Sequence, residues 1–244
     1  MGDLQNDMDA KRLVEAERLF RLALRFERLN TKRSIERAVR LYGQAAHLGH
    51  PEAMYRYFIC YSWGIGLHRN ERRAYSWCQK SAGSGYAVAL GNIAFYYETG
   101  ENPMGIVDRG LAECCYRKAS ELGDPYAMCK FGMILVKRGE VEDGISLICQ
   151  SAELDCWFGL LNLDTTLVCG SAFLERDVAR GMEMLFRGRD ALFKELSESN
   201  RLATHFFSIR AWADCVSGIG QLVLELSSVG DFISISDASC GVSL

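Results

Sequence analysis

The sequence predicts an all-α protein built from about five stacked helix-turn-helix units. Three observations carry that expectation. Only three Pro interrupt 244 residues, and 49% of the side chains are hydrophobic, enough for long helices and a sizeable core. Four segments end alike: QAAHLGHPEA (44–53), KSAGSGYAVA (80–89), KASELGDPYA (118–127) and QSAELDCWFG (150–159). Each joins a pair of small residues, a turn, and a small residue that opens the next helix. The openers are Ala53, Ala89, Ala127 and Gly159, spaced by 36, 38 and 32 residues, and stepping back 37 from Ala53 reaches Ala16.

Taken in order, the units are expected at 16–52, 53–88, 89–126, 127–158 and 159–195. Their first helices place bulky residues four and eight positions after the opener, the buried stripe of an amphipathic helix. These are Phe20 and Leu24, Tyr57 and Tyr61, Ile93 and Tyr97, Phe131 and Leu135, and Leu163 and Leu167. Gly64, Gly100, Gly139 and Gly170 follow, where the chain must reverse. Second helices carry a small residue, an apolar pair and the small pair, as in Ala38, Leu41–Tyr42, Ala45–Ala46 and Ala74, Trp77–Cys78, Ser81–Ala82. Small residues recur where helices cross closely. The loop ETGENPMGIVDRG (98–110) is long, the fourth unit's loop is short, and the period is lost after residue 200. Residues 201–230 read as capping helices over the last unit. Residues 231–244 are either a disordered tail or an edge segment.

The residues Ala53…Tyr57-Phe58…Tyr61…Gly64-Ile65-Gly66, followed by Ala74…Trp77-Cys78…Lys80-Ser81-Ala82…Gly85, resemble the Sel-1-like repeat, a relative of the tetratricopeptide repeat. The resemblance covers roughly residues 16–195. It implies a right-handed superhelical solenoid with a C-terminal helical cap, and a protein-interaction role. Cysteine-rich secreted members of that family staple their units with disulfides, and some have been described as β-lactamase-like. Here the stapling positions hold Ala53 and Ala82, Ala89 and Ser120, and Ala127 and Ala152, so neither staples nor that activity carry over.

Chemistry has no obvious seat. With 28 basic and 31 acidic side chains the net charge is −3, which gives no overall footprint for nucleic acid or an anionic membrane. No apolar run is long enough to span a bilayer, and the polar N-terminus lacks a secretory h-region, so a cytoplasmic location is the expectation. The ten Cys form no C-x-x-C and no zinc-ligand spacing, which reads as reduced thiols used as small hydrophobes. His47 and His50 sit at a closing turn, a position that reads as solvated. Gly64-Ile65-Gly66 follows a helix, with Arg69 at the third glycine position of a dinucleotide fingerprint, so it reads as a turn. No catalytic residue, cofactor or metal ligand is assigned.

A binding role therefore leads. By analogy with the tetratricopeptide fold, first-helix positions three and seven should line a concave groove. The candidates are Tyr55, Ile59, Trp63, Phe95, Cys129 and Met133, an apolar and aromatic row suited to a helix or hydrophobic peptide of a partner protein. The competing reading makes the same row ordinary core between repeats. As a whole the chain reads as a non-enzymatic adaptor. A constitutive subunit of a larger complex is the second reading, ahead of a hydrolase or an RNA-binding repeat protein.

Overall fold

The structure is a computed structural model that describes residues 2–169, with 183, 184, 186–191 and 194 beyond them. The capping helices expected at 201–230, the tail at 231–244 and most of the fifth unit's second half lie outside the described residues. What is described is all helix and turn, the expected all-α solenoid. Its helices are α1 (Gly2–Arg28), α2 (Lys32–His47), α3 (Pro51–Trp63), α4 (Glu71–Gly83), α5 (Ala87–Thr99), α6 (Arg109–Glu121), α7 (Pro125–Arg138), α8 (Val141–Glu153) and α9 (Trp157–Cys169). Each odd-numbered helix from α1 to α7 pairs with the even-numbered helix after it, and each pair packs on the next.

Local sequence sets the helix ends. Thr31 and Ser34 close a reciprocal capping box on α2. Asn70, Asp108 and Asp124 cap α4, α6 and α7, each accepting the amide three residues on. His50 does the same for α3, whose first residue is Pro51, and its other ring nitrogen lies 2.9 Å from the Glu17 carboxylate. His50 also stacks on Phe20 at 4.4 Å. This corrects the reading of His50 as a solvated turn residue: it joins α1 to α3. First helices end on Gly64, Gly100 and Gly139 in the left-handed region, which closes the helix and confirms Gly64-Ile65-Gly66 as a turn. Second helices run into Gly49, Gly85, Gly123 and Asp155, all at positive φ, so Asp155 adopts a conformation that the earlier units give to glycine.

Packing follows the same period. Ala53, Ala89 and Ala127 are fully buried. At Gly159 an added Cβ would stand 2.3 Å from Ser151 Oγ, so even alanine does not fit there. Within a pair, Ser81 Oγ donates to the Pro51 carbonyl at 2.7 Å, and Ser151 Oγ donates to the Pro125 carbonyl at 2.6 Å. The pair α7/α8 is joined by two residues only. Its helices cross where Gly132 and Gly144 face each other, and a Cβ on either would meet the other's carbonyl oxygen at 2.6 Å. Between units the cores are aromatic: Tyr55, Phe58, Tyr75 and Tyr96 enclose Ile93 and Ala89. Burying a Phe58-sized side chain contributes roughly 2–3 kcal/mol, so several such contacts per junction bind neighbouring units firmly. Cys60, Cys78, Cys114, Cys115, Cys129, Cys149 and Cys156 are free thiols.

Candidate protein-binding face

The first helices lie side by side, and three polar side chains tie them together. Each stands three residues after an opener: Arg56, Asn92 and Lys130. Arg56 reaches back to Glu27 of α1 at 3.6 Å and also pairs with Glu52 at 3.4 Å. Glu27 itself is buried and accepts the Tyr42 hydroxyl, whose pKa burial and the Glu27 charge both raise. Asn92 donates to the Tyr55 hydroxyl of α3 at 3.1 Å. Lys130 pairs with Glu98 of α5 at 3.3 Å and sits over the rings of Tyr126 and Phe158. Glu98 also accepts the Tyr116 hydroxyl at 2.7 Å. This ladder was missed in the sequence, although its members recur with the period of the openers.

Exposure divides the six expected groove residues. Trp63 is 45% exposed, and Phe95 and Met133 are half-buried. Tyr55, Ile59 and Cys129 are 6%, 4% and 0% exposed and belong to the cores between units. Tyr55 packs on Phe58 and Tyr86, and the Cys129 thiol donates to the Phe158 carbonyl at 3.8 Å. The position two residues after an opener is turned toward the neighbouring unit, so Tyr55, Gly91, Cys129 and Leu161 are all buried.

The partly open row is rotated by about one residue from the expected one. It runs through Glu52, Arg56 and Trp63 on α3, through Val88, Phe95 and Thr99 on α5, and through Tyr126, Lys130, Met133 and Lys137 on α7. Spacings of three and four residues put each set on one side of its helix. The face is thus aromatic and aliphatic along its middle, with charged groups at intervals. It can take an apolar stripe, and it can orient that stripe with hydrogen bonds and charge.

Burial tunes the acids and thiols near the core. It pushes the Asp124 carboxyl up to about 6, although the Ala127 amide pulls the other way. It also raises the Cys60 and Cys78 thiols above their ordinary value, leaving them poor nucleophiles. Among the described residues no group of His, Cys, Asp and Glu is arranged to hold a metal ion, and no helix is long and apolar enough to cross a membrane.

Comparison with known proteins places this geometry. No curated protein matches the chain in sequence. Among solved structures, a Sel1 repeat protein from Oxalobacter formigenes is 21% identical with a TM-score of 0.59, covering 71% of this chain and 70% of that one. The protective antigen c5321 of uropathogenic Escherichia coli, which displays the same repeat fold, is 20% identical with a TM-score of 0.54, covering 84% of this chain and 46% of that one. Immunity protein Pa5087 from Pseudomonas aeruginosa is 20% identical with a TM-score of 0.53, covering 73% of this chain and 68% of that one. At such identities the likeness is one of fold. The Sel1 repeat model matches residues 18–50, 51–86 and 87–124, and its three stretches end on the residues just before α3, α5 and α7. Residues 18–124 are three consecutive Sel1 repeats, and the chain is a Sel1-like repeat protein.

Proposed function

We propose that the chain is a non-enzymatic adaptor that holds a helix or hydrophobic peptide of a partner protein across its first helices. The observation that carries this reading is the partly open row formed by Phe95 and Met133, at one position of α5 and α7, and by Trp63 one turn further along α3, on first helices tied together by the Arg56, Asn92 and Lys130 ladder. A large amphipathic ring beside a flexible thioether suits partner recognition, because both bury much area at small entropic cost. The fold supports the same reading, since Sel1 repeats are commonly protein-interaction scaffolds. Two described histidines serve the fold: His50 caps α3, and His47 meets the Gly43 carbonyl and the Trp77 ring.

The test is a triple variant, Trp63→Ala, Phe95→Ala and Met133→Ala, whose melting curve shows it still folds. Affinity capture from native extract followed by mass spectrometry should show the loss of proteins retained by the wild type. Leu122→Ala, on an exposed turn between units, serves as the control and should retain them. If the triple variant captures the same proteins in the same amounts, the first-helix face is not the site.

A further inference from the structure

The net charge of −3 conceals a division along the chain. Residues 11–80 hold fifteen Lys and Arg against six Asp and Glu, while the rest of the chain has an excess of twelve acidic side chains. The structure gathers much of that positive charge at one end of the first two repeats. Arg25 and Arg28 close the last turn of α1, and Lys32 and Arg33 open α2 immediately after the turn. The loop after α3 folds back on α2, so that a Cβ at Gly66 would stand 3.0 Å from Val39 and 3.5 Å from the Glu36 Cα. That loop brings Arg69, and the first turn of α4 brings Arg72 and Arg73, to the same end. All seven side chains are exposed.

Little among the described residues neutralises them. Among the described residues Arg25, Arg28, Lys32, Arg33 and Arg72 form no ion pair with a carboxylate. Glu27 is committed to Tyr42 and Arg56 inside the fold, and Glu71 is paired with Arg69. The first turn of α2 has no acidic residue and two cations, although a helix N-terminus is itself positive. Like charges placed there destabilise the free fold and favour a bound anion.

We propose that this end of repeats one and two is a second docking surface, for an Asp/Glu-rich segment of a partner protein. Six of the seven cations are arginines, whose planar forks match carboxylates in pairs. Leu29, 63% exposed between the two arms of the cluster, offers one apolar contact to such a segment. Phe26 and Tyr61 at this end each lie under a guanidinium, that of Arg37 at 4.5 Å and that of Arg73 at 5.9 Å, so neither presents that face for stacking nucleobases. In the next repeat the same edge carries exposed Glu98, Glu101 and Asp108, which repel a phosphate chain or an anionic bilayer lying along it. The favourable stretch is therefore two repeats long, the reach of a short acidic segment.

This surface shares no residue with the row of Trp63, Phe95 and Met133, and its test leaves those three side chains unchanged. The probe is a short fluorescent poly-glutamate peptide, titrated with the full chain and read by anisotropy. The wild type should bind at low salt, and binding should weaken as salt is added. The triple variant Arg28→Gln, Arg33→Gln and Arg72→Gln should bind at least about tenfold more weakly with an unchanged melting temperature, each lost pair removing a charge-assisted contact. Arg18→Gln, whose side chain is paired with Glu15 on the same helix, should bind like the wild type. The proposal is overturned by a wild type that ignores the peptide, by a triple variant that binds as well as the wild type, or by Arg18→Gln losing as much as the triple variant. Tighter binding of a duplex or single-stranded oligonucleotide, or of phosphatidylserine vesicles, than of the peptide would overturn it too.

Discussion

Asp124 shows how one residue can serve the fold and strain it together. Its carboxylate caps α7, accepting the Ala127 amide at 3.0 Å, yet it is buried against Gly91, where an added Cβ would stand 2.9 Å from its oxygen. Burial dominates, so its pKa is pushed from an ordinary 3.8 up to about 6. The folded chain therefore keeps a proton that the unfolded chain has already released. The stabilisation from this group is complete below the unfolded value and is lost as pH rises through about 6. Asp124→Asn keeps a capping oxygen without the charge. Urea denaturation from about pH 4 to about pH 7 should show the variant gaining on the wild type as pH rises, by about 1–3 kcal/mol at the upper end. An equal pH slope in both proteins would remove Asp124 as the cause. The sequence GDP marks Asp124 as a turn and cap residue. It does not show that the neighbouring Gly91 lets the carboxylate lie so deep, because that contact joins positions 33 apart in the chain.

Elements differ in how plainly they can be read in the chain. The first helices and their glycine stops were legible because spacing alone fixes which residues share a stripe. Which side of each helix remains open was not, since it depends on the neighbouring unit. Tyr55 and Trp63 are both aromatic, and only packing separates a ring closed in by Phe58 and Tyr86 from one 45% exposed. The loop of the third unit is a second case. Its length stands out, while its order rests on one side chain: Asn102 donates to the carbonyls of Tyr96 and Ile106 and accepts from the amides of Met104 and Ile106. That knot holds Met104, Ile106 and Val107 outward on a fixed frame. Asn102→Ala should free the loop without unfolding the helices. Amide exchange between residues 100 and 108 should rise about tenfold or more, while α5 and α6 keep their protection, as expected of a local opening. Unchanged exchange in the loop would mean that the backbone alone holds it.

At the scale of the molecule, each helix pair touches its neighbours along the chain, so stability is a chain of junctions rather than one shared core. The Sel1 repeat match ends at residue 124, but α7 and α8 continue the stack with a two-residue connection, and the Gly132–Gly144 crossing permits that shorter unit. Damage to one junction should then spread to both sides and fade with distance. Ile93 lies in the cluster between repeats two and three, packed among Phe58, Tyr75, Ala89 and Tyr96. Ile93→Ala removes three buried carbons and leaves a cavity, which should cost about 2–4 kcal/mol. In native-state hydrogen exchange, α3 through α6 should lose protection most, and the flanking pairs α1–α2 and α7–α8 less, because their own clusters around Phe20 and Tyr42 and around Cys129 and Ile148 are untouched. A uniform loss across every helix would show instead that the described repeats unfold as a single unit, and that the Arg56, Asn92 and Lys130 ladder couples them more tightly than their nearest-neighbour packing implies.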